Sequence, residues 1–272
     1  MIAMEHTVTL MDGATGTRLW SLAEEAGFGR APVWTYNLTH PELVRRVAKE
    51  YIAAGSKLLC ANTFAANADE AARVPGMDAD TAVAAGVAIA KEAAANADGV
   101  RVAVDVGTLS AMLAPFGPTE PEHAHALFAK QIGAGVAAGA DCVFLETFTS
   151  LAMLRIAAEE ALRFDLPVLC SLSFDKSGRT MMGDGIEDIV AALEPLGIAA
   201  LGINCSFGPS SAVGVIRRYA DLTDLPLIVK PNADCGAQEF AETLAPVLPL
   251  VSYAGACCGS DPDYIRALAA LL

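Results

Sequence analysis

Short apolar runs alternate with longer segments of helical periodicity along most of the chain. The runs are rich in Val, Ile, Leu and Cys, which is typical of strands that are buried on both faces of a parallel sheet. They lie at residues 7–11, 57–62, 100–106, 141–147, 167–174, 200–205, 226–231 and 251–257. The segments between them repeat apolar residues every three or four positions, as amphipathic helices do. Clear examples lie at 41–55, 81–99, 122–140 and 186–197.

This alternation predicts an α/β fold. Eight strand and helix units in 272 residues indicate a (β/α)8 TIM barrel that forms a single domain over residues 1–272. A doubly wound open sheet is the alternative. No linker, low-complexity tract or shift in composition marks a second domain. The extra length at roughly residues 20–40 is expected to form a loop region over the mouth of the barrel.

Composition and charge narrow the classes of partner. Hydrophobic residues make up 54% of the chain and charged residues 18%, so a compact fold is expected. The formal net charge of -14 argues against nucleic-acid and anionic-membrane partners, which bind basic surfaces. No apolar stretch reaches the roughly 20 residues of a membrane span. The first residues, MIAMEHTVTLMDG, lack the basic and apolar regions of a signal peptide, so we expect a cytoplasmic protein.

Polar residues follow nearly every predicted strand. In a TIM barrel the active site is built at the carboxyl ends of the strands, so these residues are expected to meet at one rim. In chain order they include Asp12, Gly13, Ala14, Thr15, Asn62, Asp105, Glu146, Asn204, Cys205, Lys230, Asn232, Cys257 and Cys258.

Three of these side chains are thiols. Cys205 follows the sixth strand and Cys257 and Cys258 follow the eighth, and one strand separates the two in a barrel. Gly255 and Gly259 permit the turn that adjacent cysteines need to face one site. Three thiolates with an open fourth position are typical of a catalytic zinc site. Buried, incidental cysteines and a redox pair of adjacent cysteines, which would form a strained ring, are the alternatives.

The chemistry of such a site favours a substrate that is itself a thiol. A zinc ion lowers the pKa of a coordinated thiol, so the substrate sulfur would be a nucleophilic thiolate at neutral pH. The sequence therefore predicts transfer of an alkyl group to sulfur.

Six motifs carry a family resemblance. MDGATGT, ANTFAAN, CVFLETF, GINCSFGP, VKPNAD and GACCGSDPDYI occur in this order between about residues 8 and 268. Together they resemble the homocysteine S-methyltransferase family, which includes the homocysteine-binding barrel of cobalamin-dependent methionine synthase and betaine-homocysteine methyltransferase. The resemblance implies a zinc-dependent methyltransferase that makes methionine from homocysteine.

The resemblance also implies roles for individual residues. The zinc ligands and catalytic residues fall on Cys205, Cys257 and Cys258, and the substrate contacts fall on Asp12, Gly13, Ala14, Thr15 and Glu146. The two carboxylates suit the ammonium of an amino acid, and the N–H groups of the Gly-Ala-Thr turn suit its carboxylate. Asn232, in the PNA segment, is expected to occupy the open zinc position or to bind substrate.

The methyl donor has two candidates. The resemblance favours a stand-alone homocysteine module of a split methionine synthase, which takes its methyl group from methylcobalamin on a separate corrinoid protein. Direct transfer from S-methylmethionine, betaine or a dimethylsulfonium compound is the alternative. Four aromatic residues could cage such a cation or could serve in packing: Trp20, Phe28, Trp34 and Tyr36. A zinc barrel that binds thiols without catalysis is the hypothesis from another class.

Overall fold

Eight short parallel strands form the centre of the computed structural model, which describes residues 7–272. They are β1 Thr9–Leu10, β2 Leu58–Cys60, β3 Arg101–Gly107, β4 Cys142–Phe148, β5 Val168–Leu172, β6 Ala200–Cys205, β7 Leu227–Pro231 and β8 Tyr253–Ala254. Consecutive strands from β2 to β8 pair side by side, and β8 pairs with β1. A parallel bridge between Met11 and Leu58 closes the ring. The predicted TIM barrel is confirmed, and the open sheet is excluded.

Eleven helices surround the strands within residues 7–272. They are α1 Thr15–Glu25, α2 Tyr36–Thr39, α3 Pro41–Ala54, α4 Ala68–Ala71, α5 Ala79–Ala94, α6 Pro121–Ala137, α7 Leu151–Ala161, α8 Ile186–Leu193, α9 Pro209–Ala220, α10 Ala237–Leu244 and α11 Pro262–Ala269. Helix α3 illustrates how local sequence determines where a helix begins and ends. Pro41 opens it, Val44, Val47 and Tyr51 bury one face, and Gly55 ends it in a left-handed conformation.

Residues 20–40 differ from the loop that was expected there. Helix α1 extends to Glu25, and a 3-10 helix at Val33–Thr35 leads into α2. Trp34 and Tyr36 are each only 2% exposed, because they belong to the hydrophobic core. The apolar side chains of this segment therefore fold it against the barrel.

The interior of the barrel is apolar at one end and charged at the other. Eight buried residues fill the apolar end: Met11, Leu58, Ala103, Cys142, Phe144, Leu169, Ala200 and Ile228. Alternate residues of a strand face the same side, so the next inward positions on β3, β4 and β7 are Asp105, Glu146 and Lys230. The apolar layer thus forms the floor of a charged cavity.

The predicted single domain begins at residue 1, and its first six residues lie outside the described part. None of the helices within residues 7–272 has the length and apolar character needed to cross a membrane.

Candidate active site

A cavity of about 370 Å³ opens at the carboxyl ends of the strands. That volume is within the range of small-molecule sites. The lining includes seven of the predicted site residues: Gly13, Ala14, Thr15, Glu146, Cys205, Cys257 and Cys258. Asp12 lines a smaller adjoining pocket, and Asn232 lines neither. Most of the predicted residues are therefore in one place, although they come from distant parts of the chain.

The three cysteine sulfurs form a compact cluster. All three lie within 4.8 Å of one another, and the Sγ atoms of Cys205 and Cys258 are 3.6 Å apart. A tetrahedral zinc ion with Zn–S bonds of about 2.3 Å would hold its sulfurs about 3.8 Å apart. The cluster therefore fits zinc both in the chemistry of its donors and in their spacing.

A tight turn brings the two adjacent cysteines to one site. The N–H of Cys257 donates to the carbonyl of Pro231 on β7, and the N–H of Ser260 donates back to the carbonyl of Cys257. Gly259 has a φ of +85° at the third position of this turn, where a side chain would be strained. In a continuing strand the two thiols would face opposite sides of the sheet, so the turn is what allows both of them to face one site.

Left-handed backbone conformations mark the ends of β4 and β6. Thr147, Cys205 and Ser206 have φ values of 59°, 55° and 63°, which are uncommon without glycine. The Asn204 side chain clamps Thr147 by accepting from its N–H at 2.8 Å and donating to its Oγ1 at 2.6 Å. The same amide lies 3.8 Å from the Cys257 sulfur. The buried Asn204 thus holds together the residues that present Glu146 and one thiol.

The thiols influence one another strongly. Hydrogen bonds with Cys205 and Cys257 lower the pKa of Cys258 to about 3, because they stabilise its thiolate. A hydrogen bond with Cys257, then one with Cys258, raises the pKa of Cys205. Three thiolates this close would repel each other, and a divalent cation is the partner that would relieve the repulsion.

Lys230 forms the centre of the charged layer. Its Nζ lies 3.1 Å from Oδ1 of Asp12, 3.2 Å from Oε1 of Glu146 and 3.5 Å from the sulfur of Cys60. The Lys230 side chain is 2% exposed. The other Asp12 oxygen, Oδ2, accepts the Cys60 N–H at 2.7 Å. The two carboxylates predicted to bind an ammonium are thus held by an ammonium of the protein itself.

Burial sets the protonation of these groups. Desolvation raises the pKa of Glu146 to about 7, although Lys230 acts in the opposite direction. Desolvation and the nearby Glu146 raise the pKa of Asp105 well above its usual range. Burial alone would lower the pKa of Lys230, but Cys60, Glu146 and Asp12 together raise it, so Lys230 is positively charged.

The loop between β1 and α1 lines another part of the cavity. A Cβ on Gly13 would lie 2.7 Å from the Ser260 hydroxyl and 2.8 Å from the Tyr51 ring, so this position admits only glycine without movement. The N–H of Ala14 donates to Ser260 Oγ at 3.0 Å. Helix α1 begins at Thr15, and the N–H groups of a first helical turn favour anions. The N–H of Ala14 is therefore already used within the protein, whereas the first turn of α1 presents N–H groups that favour an anion.

Asn232, the four aromatic residues and a further thiol, Cys235, are not part of the thiol cluster. The Asn232 Oδ1 is buried and accepts no hydrogen bond from residues 7–272. Cys235 is half-buried and does not belong to the sulfur cluster. Of the four aromatic residues, Trp20 lines the cavity, while Phe28 stacks on His40 with a centroid distance of 4.0 Å. With Trp34 and Tyr36 in the core, the four do not form a cage.

Four buried polar residues of the site received no role from the sequence: Asn62, Asp105, Asn204 and Lys230. Each follows or ends an apolar strand, which is the signal that singled out Glu146. The roles of Lys230 and Asn204 depend on partners from other strands, so a polar residue at a strand end could not by itself predict them.

The comparisons with known proteins agree with this geometry. Residues 9–272 match the family model described as homocysteine S-methyltransferase. The chain is 28% identical to a methionine synthase of Mycobacterium leprae over 98% of its own length and 24% of that protein. It is 25% identical to betaine--homocysteine S-methyltransferase 1 of Xenopus tropicalis, over 90% of this chain and 69% of that protein.

A solved structure is similar over the whole barrel. The metallated form of the homocysteine methyltransferase MmuM from Escherichia coli matches with a TM-score of 0.80 and 26% identity, covering 98% of this chain and 96% of that one. By contrast, the chain spans about a quarter of the length of the methionine synthase.

Proposed function

We propose, from the premise that the chain belongs to the homocysteine S-methyltransferase family, that it transfers a methyl group to the sulfur of homocysteine and releases methionine. The observation that carries the proposal is the position of the three thiols. Cys205, Cys257 and Cys258 converge in the same cavity as Glu146 and the start of helix α1. One end of this cavity suits a metal-bound sulfur, and the rest suits an amino acid.

Each part of the cavity has its own task in this proposal. Cys205, Cys257 and Cys258 would hold a zinc ion, whose charge would keep the substrate sulfur as a nucleophilic thiolate near neutral pH. Glu146 and Asp12 accept hydrogen bonds from the substrate ammonium, and the first turn of α1 binds its carboxylate. With both ends of the amino acid held, the sulfur can present one lone pair to the incoming methyl group.

We propose methylcobalamin on a separate corrinoid protein as the methyl donor. The similarity to methionine synthase over 98% of this chain supports it. A small onium donor such as betaine is the alternative, and the similarity to betaine--homocysteine S-methyltransferase supports that one. The exposed Phe28 and the buried Trp34 and Tyr36 weaken the alternative, because they do not enclose a cation site.

A panel of donors tests the proposed activity. Reduced, zinc-loaded protein is incubated with homocysteine and, in turn, methylcobalamin free or on a corrinoid protein, betaine, S-methylmethionine and dimethylsulfoniopropionate. We expect methionine, measured by mass spectrometry, with the corrinoid donors. Methionine from an onium donor alone would reverse the choice of donor. Tight homocysteine binding with no methionine from any donor would instead indicate a non-catalytic thiol-binding protein.

The substitution Glu146→Gln tests the amino-acid end of the site. Hydrogen bonds to charged groups contribute about 1.5–3 kcal/mol, so we expect homocysteine to bind about 10- to 150-fold more weakly while zinc content stays normal. Calorimetry and metal analysis measure the two quantities. Glu160→Gln is the matched control, because Glu160 is also buried but pairs with His125 and Arg163 away from the cavity. Normal binding with lost zinc would assign Glu146 to the metal instead.

A further inference from the structure

Asp105, at the carboxyl end of β3, has an unpartnered carboxylate oxygen. Its side chain lines the active-site cavity, and the residue is 6% exposed. Oδ1 is buried and accepts no hydrogen bond from residues 7–272. Buried polar atoms in native proteins almost always have partners, because burial without one is costly. A carboxylate in this state, on a residue that lines a cavity, indicates that a donor from a ligand completes the site.

The Lys230 ammonium is not a donor to Asp105. The three N–H bonds of the Lys230 ammonium match its three neighbours, which are Asp12 Oδ1, Glu146 Oε1 and the Cys60 sulfur. The neighbouring carboxyl of Glu146 hydrogen-bonds the Asp105 side chain, but it brings no positive charge to the layer. Within this layer three acidic side chains therefore face one cationic side chain, and one further cation would improve the balance.

The backbone of Asp105 is fixed from both sides. Its N–H donates to Thr63 Oγ1 at 3.0 Å, and its carbonyl accepts from the same hydroxyl at 2.7 Å. Gln131 in turn donates to the Thr63 carbonyl at 2.7 Å. Two residues further on, the Phe64 ring packs so closely against Gly107 that a Cβ there would lie 2.4 Å away. This bracing keeps the Asp105 carboxyl at the cavity and away from solvent.

We propose that Asp105 is a third carboxylate of the substrate site, which accepts a hydrogen bond from the ammonium of homocysteine and selects α-amino thiols over thiols without an amino group. The proposal rests on the proposed function, because it concerns the same substrate. The role of Lys230 is then to hold Asp12 and Glu146 in place, while Asp105 offers the acceptor that the protein leaves free. A primary ammonium has three N–H donors, which suits three carboxylates from β1, β3 and β4.

A comparison of two ligands separates this role from a structural one. Homocysteine and 4-mercaptobutanoate, which is homocysteine without its amino group, are titrated by calorimetry into zinc-loaded wild type and Asp105→Asn. We expect the substitution to weaken homocysteine about 10- to 100-fold and to leave 4-mercaptobutanoate within about twofold of wild type. Asp105→Ser, also neutral, should give the same selective loss.

The controls make each result decisive. Asp141→Asn removes a carboxylate just before β4 that binds Lys91 and the N–H of Val102 in β3, so it should affect neither ligand. Zinc content and melting temperature are measured for every variant. Equal weakening of both ligands, or unchanged homocysteine binding, would overturn the role of Asp105 alone. Failure of the wild-type protein to bind homocysteine would overturn the proposed function as well.

Discussion

Replacement of Cys205, Cys257 or Cys258 by alanine is expected to abolish zinc retention and methyl transfer together. Each substitution leaves two thiolates, and a catalytic zinc site needs three protein ligands to hold the ion while the fourth position exchanges. Loss of a partner outside the first coordination shell already costs about 10- to 100-fold in metal affinity, so loss of a ligand should cost more than about 100-fold. Metal analysis of reduced protein should show about one zinc ion per chain in the wild type and almost none in the variants.

Cys235→Ala is the matched control for the cysteine substitutions. Cys235 is a half-buried thiol close in sequence to β7, but it lies outside the sulfur cluster, so its removal should leave zinc content and activity unchanged. Melting temperatures of the metal-free proteins show whether the variants fold. Full zinc occupancy in all three cluster variants would disprove the metal assignment, and zinc loss in the control would add Cys235 to it.

Replacement of Lys230 by methionine is expected to cause the largest loss of stability. The substitution removes the cation that Asp12 and Glu146 share inside the barrel. Removing one member of a buried ion pair costs about 3–5 kcal/mol, because the remaining charge is buried without compensation. For a protein of this size the melting temperature should fall by about 10 °C. Thermal and urea unfolding measure the effect.

The pH dependence identifies the cause of that loss. Glu146 has a pKa raised to about 7 in the folded protein, so the folded protein binds more protons there than the unfolded chain does. Stability from this group therefore falls as pH rises from about 4.5 to about 7, and without Lys230, which lowers this pKa, the fall should extend to higher pH. We expect the deficit of the variant to be smaller at pH 5, where the Glu146 carboxyl is largely protonated, than at pH 8.

A surface lysine provides the comparison. Lys91→Met breaks a pair with Asp141 whose side chains are 38% and 32% exposed, so it should cost at most about 1 kcal/mol. Adding Asp12→Asn and Glu146→Gln to the Lys230 variant should recover part of its stability, since no buried charge then lacks a partner. A Lys230 variant as stable as the Lys91 variant would show that the buried pairs contribute little.

The architecture of the barrel was readable from the sequence, because the signals that produce it are local. Apolar runs such as residues 200–205 predicted strands whose ends the structure places within three residues, and β6 matches its run from Ala200 to Cys205. The prediction of a loop region at residues 20–40 was wrong. Polar residues interrupt its apolar ones irregularly, and the burial of Trp34 and Tyr36 depends on the core that receives them.

For the candidate site too, local sequence patterns predicted some features and only long-range contacts decided the others. The residue types at the strand ends, above all Cys205 and the Cys257–Cys258 pair, predicted which chemistry would meet at the rim, since parallel strands all end there. Only the tertiary structure decided that Lys230 lies between Asp12 and Glu146 and that Oδ1 of Asp105 has no hydrogen-bond donor within residues 7–272. Pairing and desolvation of charges depend on distances between residues up to 218 positions apart, which local sequence patterns do not encode.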